Sequence, residues 1–174
     1  MRKWISLILI ALLMAGCSPK SPEQPSPQPD EQPVNKEEVA VTLYYANKEY
    51  VNTGDESKEK FITVDKKMEK DNELFMTVLT ELQKDPNIEN AETQLANLKF
   101  LDVTLKDKTV YVDISSEDLG GSSLQEFYVI GQIVYSLTSI EEVEKVEFLV
   151  DGKEQESLMG HYTINKPFDK NTQL

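Results

Sequence analysis

Alternation opens the folded part of the chain. In "VTLYYANKEYV", Val41, Leu43 and Tyr45 recur at every second position with Thr42 and Tyr44 between them. That is the period of a strand with one buried face, and the residues after it read as a hairpin return. "FITVDKKM" reads as a further short strand. From Asn72 the period changes: "NELFMTVLTELQK" places Leu74, Phe75, Val78, Leu79 and Leu82 on one side of an amphipathic helix, with Asp71 or Asn72 placed to cap its first turn. Lys84-Asp85-Pro86 ends it, because the residue before proline avoids helical geometry and proline cannot donate the next bond.

After a polar connection, "FLDVTLKDKTVYVDIS" reads as a hairpin about Lys106-Asp107-Lys108. Leu101, Val103 and Leu105 are expected to share a face with Val110, Val112 and Ile114, leaving Asp102, Thr104, Tyr111 and Asp113 on the other. A glycine turn and a Ser123-x-x-Glu126 pattern of capping-box type then introduce a second helix. Its stripe is Leu124, Phe127, Tyr128, Val134 and Tyr135, widened by Ile130, Ile133 and Leu137. Finally Val146, Phe148 and Val150 alternate with Glu147 and Leu149 before Asp151-Gly152, a strong hairpin signal. The order is strand, helix, two paired strands, helix, two paired strands. It predicts an α+β fold with two helices packed on one face of a mainly antiparallel sheet. Residues 169–174 read as a disordered tail.

Ahead of all this the pattern is different. Arg2 and Lys3 precede an apolar run from Trp4 to Leu13 and then Ala15 and Gly16, the order of a secretory signal over residues 1–16. The run is too short for a membrane span, which needs about twenty apolar residues. Leu13-Met14-Ala15-Gly16-Cys17 resembles the bacterial lipobox, with Met14 where leucine is usual. That resemblance implies acylation of Cys17 as the new N-terminus, and two or more acyl chains suffice for stable anchoring. The alternative is an ordinary export signal with an incidental cysteine. Residues 17–38 hold six of the eight prolines and no apolar periodicity, which reads as an extended linker. Cys17 is the only cysteine, so no disulfide within the chain and no CxxC chemistry is available.

Charge narrows the functional classes. The formal net charge is −13, and loss of Arg2 and Lys3 makes the remainder still more acidic. Such a surface is repelled by nucleic acid and by anionic lipid or wall polymer. His161 is the only histidine and has no nucleophile motif around it. Asp102 and Asp113 could face each other across the hairpin, but adjacent carboxylates are expected by chance in a chain with 31 acidic residues. "GGSS" lacks the spacing of a phosphate loop, and "EEVEK" that of a calcium loop. No catalytic residue, cofactor, metal or small-molecule substrate is therefore expected. What remains is the sheet face opposite the helices, where Tyr44, Tyr111 and Leu149 stand among polar residues. They read either as a protein-contact face or as scattered surface apolars.

Several pieces, in order, resemble the GerMN domain family of sporulation and spore germination. They are "VTLYYANKEYV", "LTELQKDP", "VYVDIS", "IVYSLTSI", "VEKVEFLVDGKE" and the closing "SLMGHYTINKPF". The chain departs from the family in having Asp85-Pro86 after the first helix and "AETQLANLKFLDV" before the hairpin, and it holds one copy of the domain. The resemblance assigns residues 39–168 to a GerMN-like domain, similar in fold to ring-building domains of sporulation secretion complexes. It implies a non-catalytic lipoprotein held by acyl chains on Cys17 at the extracytoplasmic face of the cell membrane. Its partners would be envelope proteins or further copies of itself. A peptidoglycan- or glycan-binding accessory to a wall hydrolase is the alternative, and a divergent enzyme the third reading.

Overall fold

The computed structural model describes residues 37–174, which fold about one main apolar core. The expectations for residues 1–16, Cys17 and the linker as far as residue 36 lie outside the described residues. The first strand, β1 (Glu38–Asn47), alternates as the sequence predicts: Val41, Leu43 and Tyr45 are buried. The next strand, β2 (Phe61–Glu69), pairs with it antiparallel from Glu38↔Glu69 to Ala46↔Phe61.

The expected immediate return after β1 does not form. Asn47 instead caps a short helix, α1 (Lys48–Thr53), its Oδ1 accepting the Glu49 N–H at 3.0 Å. Gly54, at φ +64°, ends that helix by donating its N–H to the Tyr50 carbonyl. A local cap thus overrides the strand pattern, and the return strand is delayed to Phe61.

The amphipathic helix forms as α2 (Leu74–Leu82) and buries Leu74, Val78, Leu79 and Leu82. Asp71 supports its entry, accepting the Glu73 N–H through Oδ1 at 2.9 Å. The polar connection contributes β3 (Ala91–Glu92), which pairs with the end of β1 and completes a three-stranded sheet of order β2-β1-β3.

The second sheet starts with the predicted hairpin, β4 (Phe100–Lys106) and β5 (Thr109–Ile114), closed by Asp107 and Lys108, both at positive φ. Val110, Val112 and Ile114 are fully buried, but Leu101 and Leu105 are exposed. The register shifts between Phe100 and Asp102, so Phe100 rather than Leu101 lies opposite Ile114. The bulge takes Leu101 out of the core face. The long helix α3 (Ser123–Leu137) then crosses to β6 (Lys145–Val150), which runs parallel to β5 in register Val110↔Val146 and Val112↔Phe148.

Asp151 and Gly152 do turn the chain, at φ +49° and +72°, yet the expected return shrinks to a single bridge, Val150↔Lys153. The edge of β6 is taken instead by β7 (Phe168–Asp169), giving the order β4-β5-β6-β7. The fold is α+β as expected, its strands divided between an antiparallel and a mixed sheet. Residues after Asp169 are not a loose tail: the Tyr135 hydroxyl donates to the Thr172 carbonyl, and Leu174 packs on the core.

Candidate functional site

Helix α3 carries the polar groups that organise the interior. Glu126, Gln132 and Ser136 sit in a mainly apolar helix and are completely buried. The expected capping box is not what Glu126 does. The cap is Ser122, whose hydroxyl accepts the Gln125 N–H, while the Glu126 carboxylate points inward. Its Oε1 accepts the N–H groups of Leu158 and Met159 at 3.0 and 2.9 Å, and its Oε2 accepts that of His161 at 2.8 Å. A buried acceptor is tolerated when its lone pairs are filled in this way. The carboxylate therefore fixes the "SLMGH" segment against the start of α3.

Further along, α3 and the turn that follows it close the free edge of β1. Ser136 Oγ accepts the Tyr44 N–H, Ser139 Oγ accepts the Thr42 N–H, both at 2.9 Å, and the Gln132 amide donates to the Tyr44 carbonyl at 3.1 Å. Gln132 Oε1 also accepts the Gln94 N–H at 2.8 Å. An open strand edge is a template for unwanted pairing, and here side chains satisfy it in place of a further strand. Polar residues interrupting an apolar helical run were the signal available in the sequence, although it does not show what they contact.

On the side of α3 where β2 begins, an open groove of about 800 Å³ is lined by Tyr44, Phe61, Phe127, Tyr135 and Leu174. Phe61 is its hub, with ring centroids 5.3 Å from both Tyr128 and Tyr135 and 5.7 Å from Phe127. These are edge-on and tilted arrangements of the kind favoured by the ring quadrupole. Gly131 makes the close approach feasible: a Cβ there would lie 2.4 Å from Phe61 Cζ. Lys60 Nζ stands over the Phe127 ring at 5.3 Å.

The three residues expected to share one contact face are not brought together. Tyr44 lies in the β2-β1-β3 sheet, its ring 5.5 Å from that of Tyr135 and 6.2 Å from that of Phe61. Tyr111 and Leu149 do share a face, on adjacent strands of the other sheet, where Tyr111 opposes Thr104 and Glu147 and Leu149 opposes Asp113. Both are half-buried. The reason is topological: β1 and β5 belong to different sheets, so their alternation does not define one common surface.

The weighed chemical candidates acquire other partners. Asp102 and Asp113 are directly opposed across the hairpin, and Asp113 Oδ1 accepts the Gly152 N–H at 2.9 Å, so it secures a turn. His161 Nε2 lies 3.2 Å from the Gly121 carbonyl, joining the "SLMGH" segment to the entry of α3. Among the described residues no group of three or more His, Cys, Asp or Glu is arranged to hold a metal ion. Nor is any described helix long and apolar enough to cross a membrane.

Burial pushes the hydroxyl of Tyr128 up to about 12, with small contributions from Tyr50 and Glu92, and that of Tyr45 to about 12, with help from Glu81. Glu81 is held below the usual carboxylate range by hydrogen bonds from Lys66 and Lys84. These shifts belong to packing and to a surface ion cluster rather than to a reactive centre.

A family model described as Germane, sporulation and spore germination, matches residues 42–156, more than half of the chain. Among solved structures, a candidate lipoprotein from Clostridium perfringens is 25% identical, with TM-score 0.52. The likeness covers 76% of this chain and 88% of that one. The first GerMN domain of the sporulation protein GerM from Bacillus subtilis is 19% identical with TM-score 0.62, covering 77% and 99%. The tandem GerMN domains of the same protein match at 22% identity and TM-score 0.56, covering 80% and 46%. The two GerM likenesses establish the fold. No curated protein sequence matches the chain significantly.

Proposed function

The chain belongs to the Germane family of sporulation and spore germination, and from that premise we propose that it is a lipoprotein of the bacterial cell envelope whose folded part serves protein–protein assembly without catalysis. Cys17 is the lipidation site, and the acyl chains hold the protein on the extracytoplasmic face of the membrane. One observation carries the reading. The buried polar groups Glu126, Gln132 and Ser136 are occupied in holding backbone, while apolar residues Tyr111, Leu149, Leu101 and Leu105 lie half-buried or exposed on one sheet. A domain with such a surface has more to offer a partner than a substrate. The similar candidate lipoprotein supports the anchoring half of the proposal.

Two experiments separate its parts. In a bacterial host, the full-length chain is expected to incorporate labelled palmitate and fractionate with membranes, and Cys17→Ser to lose both; equal labelling of the two would rule out the anchor. The aromatic groove beside Phe61 favours one second reading, a glycan-binding accessory, since sugar rings pack on aromatic faces. Co-sedimentation of the chain with purified peptidoglycan would support that reading against assembly.

A further inference from the structure

Strand β4 is an edge of its sheet, and all of Leu101, Asp102, Thr104, Leu105 and Lys106 are exposed. Its regular part, Asp102 to Lys106, begins just after the bulge at Leu101. Asp107 and Lys108 close the hairpin as a two-residue loop, which makes Lys106 and Thr109 a hydrogen-bonded pair. By the alternation of an antiparallel ladder, Val103 and Leu105 then turn their N–H and C=O groups away from β5. Those groups form a free edge.

The five residues are self-complementary. If a second copy lies antiparallel with Thr104 opposite its own counterpart, Val103 meets the second copy's Leu105 and Asp102 meets its Lys106, each contact occurring twice. The outward groups of Val103 and Leu105 fall on the hydrogen-bonded positions of that register. Among the described residues the charges also lack opposite-charge partners. Asp102 is opposed by Asp113, a like-charge pair of the kind that destabilises a sheet. Lys106 is opposite Thr109 and belongs to none of the ion pairs among the described residues. The second copy's lysine supplies what Asp102 lacks.

We propose that two copies of this chain join through β4 about a two-fold axis at Thr104, merging two four-stranded sheets into one of eight strands. The inference rests on the assembly reading and names its partner and its edge. Five-residue pairing is short, so the dimer is weak in dilute solution and gains when copies share a membrane surface. It is an isologous contact, closing on itself at two copies and leaving the face with Tyr111 and Leu149 for other proteins.

The test uses the full-length anchored chain, in which acylation takes the Cys17 sulfur into a thioether, so that Thr104→Cys supplies the only free thiol, oxidised in cells and scored on non-reducing gels. Residues facing themselves at a non-hydrogen-bonded pair lie within disulfide reach. A disulfide-linked dimer is expected from the Thr104→Cys chain, with little from Lys67→Cys on the opposite outer strand β2. Lys106→Asp should cut the dimer about tenfold, since two attractions become repulsions. Adding Asp102→Lys to that variant should restore it. Absence of the disulfide-linked dimer, or a dimer indifferent to both charge changes, overturns the proposal. Crosslinks of the same chain to other proteins would leave the assembly reading standing while this edge fails.

Discussion

At the scale of single residues, Glu126 is a buried side chain that holds three backbone N–H groups of one distant segment at once. Glu126→Gln keeps the shape but places an amide N–H where a backbone donor now points. The expected cost is about 2–4 kcal/mol, read as a lower urea midpoint, with faster amide exchange at Leu158, Met159 and His161. Exchange unchanged at those three amides would deny the residue its role. Gly131 makes a second case. Gly131→Ala improves helix propensity but drives a Cβ into Phe61, so a net loss of about 1–2 kcal/mol is expected together with changed near-ultraviolet dichroism from the aromatic cluster.

Tyr128 gives a prediction in pH. Its hydroxyl is buried and has no hydrogen-bond partner among the described residues. Its folded value of about 12 stands above the ordinary 10, so folding disfavours the phenolate. The contribution is full below the ordinary value and is lost as pH rises toward the folded one. Tyr128→Phe should leave stability at neutral pH equal or higher and flatten the alkaline decline. A steeper decline in the variant would contradict the assignment. None of these three roles was legible in advance, since burial of a polar atom depends on what arrives from elsewhere in the chain. The Ser123-x-x-Glu126 pattern points to a local cap, and the tertiary partner took the carboxylate instead.

At the scale of elements, period was a sufficient guide wherever one face alone is buried. The alternation in β1 and β5 and the helical spacing in α2 all reappear in the burial pattern. What the period could not give was pairing. Strand β6 alternates like a hairpin arm, yet it runs parallel to β5 because α3 carries the chain back across the sheet. That choice is set by long-range packing, and so was the separation of Tyr44 from Tyr111 and Leu149. Element-level cover of the β1 edge can be tested through Ser136→Ala, which removes the acceptor for the Tyr44 N–H. Leaving that donor unpaired should cost about 1–3 kcal/mol and raise exchange at Tyr44, while Ser136→Thr, which keeps the hydroxyl, should cost less at that amide. The ion cluster joining β2 to α2 adds an acid-side effect: Glu81 is lowered in the fold, so its stabilisation is present above the ordinary carboxylate value and fades as pH falls. Glu81→Gln should reduce the acid sensitivity of unfolding.

At the scale of the whole molecule, an acidic domain of the Germane family has its polar interior committed to structure and exposes Leu101 and Leu105 along one edge strand. Much of the family reading was legible in the ordered motifs, because those motifs are structural: the "SLMGH" segment carries the N–H groups that Glu126 holds, and Asp151-Gly152 is fixed through Asp113. The surface was less legible, since which strand ends up at an edge is a property of the assembled sheet. Assembly is the central claim, and it is met most directly by placing a photo-crosslinking residue at Tyr111, Leu149 or Leu101 of the full-length chain in cells of its host. Covalent complexes with envelope proteins or with a second copy are predicted from these positions, and none from Lys67. Recovery of monomer alone from every position would contradict the claim.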